Sequence, residues 1–163
     1  MEKVLAASER LSTLNSEVEI KIHKEYVDEK SIEKHIINKD FIVDCSDNFK
    51  TKFLVNRVAI DFGVKSIIAG IKDFFGQIIT INPKESACYE CVFNQPNSLD
   101  SSDSPLPVIG VTPGILGTLE ALEVIKTTLG LPNLENKLLM VNLLNLSFDT
   151  IDIVRSDNCF CSK

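Results

Sequence analysis

Four of the five cysteines fall in two close pairs, Cys88-Tyr89-Glu90-Cys91 and Cys159-Phe160-Cys161. Thiolates gathered from two such knuckles satisfy a tetrahedral zinc ion, and a closed set of four sulfurs is structural, because a catalytic zinc keeps one position open for water or substrate. Disulfides and unligated thiols are the competing readings, and the spacing favours zinc over both. The second pair has only one residue between its cysteines, which makes its geometry tighter than the commoner C-x-x-C knuckle.

A second group of reactive side chains is Asp44-Cys45-Ser46-Asp47-Asn48, where an apolar run hands over to a helical pattern. Ligands of open α/β sheets bind beyond the carboxyl ends of the strands, so a carboxylate there can hold Mg²⁺ and through it nucleotide phosphates. Asp47 is the better placed of the two acids. The same position also suits a plain helix cap by Asp47 or Asn48, and both readings stay open. Lys3, in a first helical turn, reads as a solvated charge. Cys45 reads as a core thiol whose pKa the two neighbouring carboxylates raise, and His23 and His35 as surface residues.

The elements that must position these groups follow from hydrophobic period. Val4, Leu5, Leu11 and Leu14 recur at helical spacing, and Val18, Ile20 and Ile22 alternate in the manner of a half-buried strand. Ser31 can cap a short helix over 32–37, and Phe41-Ile42-Val43 reads as a buried strand. The next helix carries Leu54, Val58 and Phe62 on one stripe with Phe49 and Phe53 beside it, and ends at Gly63. Strands are expected over 65–69 and 77–81, the second stopped by Asn82-Pro83. The stretch 94–107 is polar and turn-rich, the signature of a mobile crossing loop. Thr112-Pro113 can then open a helix bearing Ile115, Leu119, Leu122, Ile125 and Leu129, with Gly114 and Gly117 offering a close approach. A hairpin over 138–146 and 149–154 brings the chain to its last cysteines. The fold class is α/β: a Rossmann-like wound sheet followed by a zinc-stapled, partly antiparallel C-terminal part.

With 163 residues, 44% of them hydrophobic, and no Gly/Ser-rich or Pro-rich linker, the chain suits one domain. A formal charge of -6 and a pI near 4.9 exclude a counterion-displacing nucleic-acid binder, which needs clustered Lys and Arg. The apolar runs 138–141 and 143–144 are broken by Asn142 and Asn145, far short of a membrane span. A cytoplasmic protein, with its thiols kept reduced, is the expectation.

Taken in order, the runs DCSDNFKTKFLVN, IIAGIKDFFGQIITINP, CYECVF, GILGTLEALEVIK and the terminal CFC resemble the MoeB/ThiF/HesA family, the ubiquitin-activating-enzyme-like adenylyltransferases. The resemblance covers 1–163 as a single ThiF-type domain, the C-terminal two thirds of the family's usual length. It implies ATP-dependent activation of the C-terminal carboxylate of a ubiquitin-like sulfur carrier of the MoaD or ThiS type, in thiamine or molybdopterin biosynthesis. Matched by motif, Asp47 corresponds to the magnesium-binding aspartate, Asn48 to its nucleotide-contacting neighbour and Lys3 to the lysine that approaches the phosphates. Cys88, Cys91, Cys159 and Cys161 match the zinc ligands, and the family favours a homodimer. The family's G-x-G-G-type ATP loop is missing, so the sheet is expected to be incomplete at its N-terminal side and the chain a fragment, lacking about 80 residues of βαβ structure. The stretch Ser101-Ser102-Asp103-Ser104-Pro105 also lacks the cysteine that many members carry in the crossing loop. The rival expectation is a non-catalytic, zinc-stabilised module that binds a ubiquitin-like partner; a free-standing thiol or metal-handling protein is a third.

Overall fold

The computed structural model describes residues 2–93 and 108–162, so the expected crossing loop at 94–107 lies outside the described residues. The parallel part of the fold is one unit. β1 (Phe41–Asp44) leads through helix α3 (Phe49–Phe62) to β2 (Lys65–Lys72), and the two strands pair in parallel with Val43 opposite Ile67. From there β2, β3 (Phe75–Ile81), β4 (Lys137–Asn142) and β5 (Ser147–Asp152) pair antiparallel in turn, with two helices between β3 and β4, giving the sheet order β1-β2-β3-β4-β5. The strand at 77–81 therefore joins its predecessor by a tight turn at Asp73-Phe74 and not through a helix, so the antiparallel half begins earlier than the sequence pattern implies. Asp73 makes that turn possible by adopting φ +52, the left-handed conformation two-residue hairpins demand.

The sheet separates two apolar layers. Ile68, Ile79, Ile81 and Leu138 face Phe53, Val55 and Ile60 of α3 together with Tyr89 and the cysteines. Ile67, Ala69, Ile78 and Val141 face Leu116 of the long helix α5 (Val111–Thr128) on the other side. Adjacent strand residues thus serve opposite layers, as the period-two geometry of a strand covered on both faces requires. Helix α5 approaches closely at Gly76, where a Cβ would meet the Leu116 side chain at 2.6 Å.

Side-chain caps start two of the helices. Asn48 Oδ1 accepts the Thr51 N–H at 2.8 Å to start α3, and Gly63, at φ +70, closes it as expected. Helix α2 (Glu29–Ile36) is capped by Asp28, with Ser31 the reciprocal partner in a capping box and not itself the cap. Thr112 lies inside α5, where its hydroxyl donates to the Asp73 carbonyl at 2.7 Å instead of capping the helix. Helix α1 (Lys3–Leu14) forms as its periodicity predicts, yet none of its residues is buried.

Three further expectations fail. No strand forms at 18–22; that segment runs as irregular, mostly exposed backbone, because alternation supplies a strand only when a neighbouring strand accepts its hydrogen bonds. The α3 stripe is rotated: Lys52, Phe53, Val55, Asn56, Ala59 and Ile60 are buried, while Phe49 and Phe62 are 50% and 44% exposed. In α5 the rotation is larger. Leu116, Glu120, Glu123 and Thr127 face inward, Leu122, Ile125 and Leu129 face out, and no atom comes within 4 Å of a Cβ built at Gly114 or Gly117.

Buried polar residues account for these rotations. Lys52 Nζ donates to Asp44 Oδ2 at 2.8 Å, to the Ser46 carbonyl at 2.6 Å and to the Ala69 carbonyl. Glu123 accepts from Thr80 Oγ1 at 2.8 Å and from the Leu134 N–H at 2.7 Å, and pairs with Lys126. Glu120 is less well provided for: its Oε1 is buried without a partner. Burial, reinforced by Asp44 and opposed by Lys52, pushes its carboxyl up to about 7. Between the ordinary value and about 7 the folded chain holds a proton that the unfolded chain releases, so stability falls as pH rises through that window, by on the order of 3 kcal/mol in all. Glu120→Gln is therefore expected to be more stable than the parent at pH 8 and to lose that advantage by pH 4.5. Urea unfolding at both pH values measures the difference; an advantage independent of pH would contradict it.

Candidate functional site

The cysteine pairs meet as their spacing predicts. Cys88 precedes the short helix α4 (Tyr89–Val92), and Cys161 sits in a 3-10 turn (Phe160–Ser162) that lets the tight C-x-C pair face it. The four Sγ atoms lie within 4.8 Å of one another, with Cys88 to Cys159 at 3.5 Å, Cys91 to Cys161 at 3.6 Å and Cys88 to Cys91 at 3.8 Å. A tetrahedral ion with bonds of about 2.3 Å needs sulfurs separated by about 3.8 Å, so the group is already close to the required shape. All are free thiols. Burial drives the Cys88 thiol far above its ordinary range, with Cys159 and Cys161 adding to the effect. Burial also pushes Cys161 up, but hydrogen bonds led by that from Cys88 bring it below its ordinary value. Such thiols cannot all ionise side by side without a cation among them.

Groups the sequence reading did not single out orient the knuckles. Asn56 of α3 accepts the Tyr89 N–H at 3.0 Å and directs its amide at Cys88 Sγ at 3.8 Å. Arg57 grips Glu90 with two hydrogen bonds, of 2.8 and 2.9 Å, and lies over the Phe160 ring at 5.6 Å. Arg155 donates to the carbonyls of Lys84 and Cys161, and the Ser156 N–H points at Cys91 Sγ at 3.4 Å. The placement of Glu90 between the cysteines, and of Asn56-Arg57 one helix turn past Lys52, is the signal that could have marked them. Such second-layer contacts fix the direction of metal ligands.

At the carboxyl end of β1, Asp47 and Asn48 stand where the strand turns into α3. Both are exposed. Asn48 Oδ1 is committed to its capping bond, and its Nδ2 reaches Asp47 Oδ1 at 3.4 Å. The cap is thus Asn48, which leaves the Asp47 carboxylate without a cationic partner among the described residues. Below them Asp44, 4% exposed, and Lys52 hold the turn from inside, and Ser46 Oγ is buried without a partner. The donor set suits a hydrated Mg²⁺, which takes one or two carboxylates and keeps several waters. Lys3 is not part of this group. It lines a separate surface cleft with Glu2, Val4, His23, Lys24, Glu25 and Tyr26, and shares no hydrogen bond or ion pair with Asp47 among the described residues.

Cys45 is exposed, not a core thiol, because it follows the last residue of the edge strand. Its Sγ turns toward Glu120 Oε2 at 3.8 Å. Partial burial, then the Glu120 and Asp44 carboxylates, push it up to about 11, the direction the sequence implies and one unsuited to a nucleophile. His23 is exposed as expected; His35 is partly buried and bonded to Glu25.

Among the described residues, no helix is long and apolar enough to cross a membrane. A solved structure of MccB from Escherichia coli with ATP superposes over 99% of this chain and 52% of that one, with a TM-score of 0.81 at 20% identity, a likeness of fold. A probable molybdopterin-synthase adenylyltransferase from Gracilaria tenuistipitata is 30% identical over 158 residues, 96% of this chain and 44% of that protein. A sulfur carrier protein adenylyltransferase from Thermus thermophilus is 31% identical over 165 residues, 96% of this chain and 61% of that protein. The chain thus spans about half the length of these relatives. With the ThiF family model matching residues 1–163, over the same sheet, cysteine cluster and strand-end aspartate, the chain belongs to the ThiF family.

Proposed function

We propose that this chain is part of an ATP-dependent adenylyltransferase that activates the C-terminal carboxylate of a ubiquitin-like sulfur carrier. The observation that carries the reading is the Asp47 carboxylate, claimed by no cation of the described residues, on a turn that the Asp44–Lys52 pair at 2.8 Å holds from beneath. Magnesium ATP would supply the phosphoryl electrophile; Asp47 would hold the metal, with Asn48 beside it, while Lys3 stands in a separate cleft and is given no part in this site. The names of the relatives, adenylyltransferases for sulfur carriers and molybdopterin synthase, support the substrate class.

Two surfaces support the view that the active unit contains more than these residues. β1 is an edge of the sheet, and Val43 on it and Ile37 just before it are exposed, as is the apolar side of α1. A further parallel strand pair bearing the G-x-G-G-type loop would cover that edge. Opposite, Val111, Leu122, Ile125 and Leu129 form an outward apolar stripe on α5 beside the open Gly114 and Gly117, which suits the homodimer contact the family resemblance implies. The competing reading is a non-catalytic, zinc-stabilised module that binds a ubiquitin-like partner. Reduced thiols favour the cytoplasm as the compartment.

The cysteine cluster is read as a structural zinc site. Reduced protein is expected to carry about one zinc per chain, to unfold more readily with chelator, and to lose the metal in Cys88→Ser and Cys159→Ser. Elemental analysis beside thiol titration checks this; four titratable thiols and substoichiometric zinc would rule it out.

For the activity, the chain is co-expressed with the N-terminal half of a family member carrying the glycine-rich loop, and carrier-dependent pyrophosphate exchange is measured. Exchange should appear only in the assembled complex and fall at least about 100-fold in Asp47→Asn, the order expected for losing a transition-state charge contact. If the two halves do not associate, or exchange is unchanged in Asp47→Asn, the binding-module reading replaces this one.

A further inference from the structure

A second group of metal-ligating atoms lies away from the cysteines. His23 and Glu25 stand two residues apart on the extended connection between α1 and α2, and His35 is in the last turn of α2. One donor atom from each lies within 4.8 Å of the others. His35 Nε2 donates to Glu25 Oε1 at 2.7 Å, and His23 Nδ1 stands 4.0 Å from the same oxygen. The two imidazole rings have centroids 4.2 Å apart and are tilted by 59°.

The ordinary explanation is a surface ion pair. It covers only half of the arrangement. Lys34 Nζ on Glu25 Oε2 at 2.6 Å and His35 on Oε1 satisfy the carboxylate, yet His23, whose side chain is 55% exposed, has no hydrogen bond among the described residues that would hold its ring over His35. An ion shared by all three accounts for that convergence. At bond lengths of about 2.0–2.2 Å, tetrahedral ligands stand about 3.4 Å apart, a value bracketed by the 2.7 and 4.0 Å observed here. Small rotamer changes of partly exposed side chains close the difference.

We propose that His23, Glu25 and His35 form a second metal site, separate from the cysteine cluster, for a borderline divalent cation such as Zn²⁺. Two imidazole nitrogens with one carboxylate oxygen select that class over Mg²⁺ and Ca²⁺, which prefer all-oxygen sets. Lys34 keeps Glu25 Oε2 occupied and so presents Oε1 as a single-oxygen ligand, an outer contact of the kind that orients metal ligands. With three protein ligands, the ion keeps a fourth position for water or an anion. Both neighbouring clefts meet at His23 and Glu25, one bearing Lys3 and Lys24 and the other His35 and Lys39. Occupancy would tie the connection between α1 and α2, otherwise held by few buried contacts, to the end of α2.

The proposal does not depend on the adenylyltransferase reading, and metal stoichiometry tests it without activity. The full chain, reduced and carrying one equivalent of Zn²⁺, is titrated with Co²⁺ by calorimetry and visible absorption. One further equivalent should bind, with d–d bands and no thiolate charge-transfer band. His23→Ala and His35→Ala should each weaken that event at least tenfold while retaining the first zinc, with circular dichroism checking the fold. Because His23 is more than half exposed and belongs to no core cluster, His23→Ala decides the question even if His35→Ala is unstable. The absence of a second equivalent, a second equivalent of unchanged affinity in His23→Ala, or a thiolate charge-transfer signature for it would each overturn the proposal.

Discussion

The ammonium of Lys52 is the point at which four parts of this molecule are tied together. Its side chain is 6% exposed, and it pairs with Asp44 at the end of β1, with the Ser46 carbonyl in the turn and with the Ala69 carbonyl in β2. The lysine itself belongs to α3. Taking a charge out of water costs several kcal/mol unless nearly all its donors are used, and here all three are used by groups on successive elements of one β-α-β unit. The turn between β1 and α3 therefore has little freedom, and Asp47 and Asn48 project from a fixed base. A leucine at this position would fill the space but leave the Asp44 carboxylate and two carbonyls without their donor.

The cysteine cluster supplies the second constraint. The chain after β3 delivers Cys88 and Cys91, the chain after β5 delivers Cys159 and Cys161, and α3 reaches both through Asn56 and Arg57. The same helix thus holds the strand-end aspartate at its first turn and orients the cysteine knuckle from its middle. Loosening the knuckle would be felt along α3, because Asn56 and Lys52 lie one turn apart on its buried side.

Much of this was legible in the sequence because it depends on local chemistry. Asn48 and Gly63 bound a helix by capping and by a left-handed φ, and the cysteine spacing specifies a meeting of two knuckles whatever the path between them. What was not legible depends on neighbours. Residues 18–22 alternate like a strand, but no described strand runs beside them to accept the ladder. Periodicity identified α3 and α5 as helices and placed Phe53, Leu54, Val58, Ile115 and Leu119 against the core, but it set the rest of each stripe too far round, since Lys52 and Glu123 count as solvent-facing until their buried partners Asp44, Thr80 and Leu134 are known. The Glu25 contacts were invisible for the same reason: nothing in the spacing of His23 and His35 says that the intervening chain doubles back.

The rotation of α5 follows from those partners, and it has a structural consequence. Glu123 accepts from Thr80 and from the Leu134 N–H, so it fixes the rotation of the helix against the sheet as firmly as Leu116 does through Gly76. Once that rotation is set, Val111, Leu122, Ile125 and Leu129 must face outward, and with Gly114 and Gly117 they form one continuous side with no cover among the described residues. Exposed leucines scattered singly need no explanation. A stripe at helical spacing, flanked by glycines that allow close backbone approach and held in place by buried carboxylates, does, because relaxing it would require breaking the Glu123 bonds. The buried polar groups of α5 thus do two things: they lock its register on the sheet, and they keep an apolar face available to a second surface.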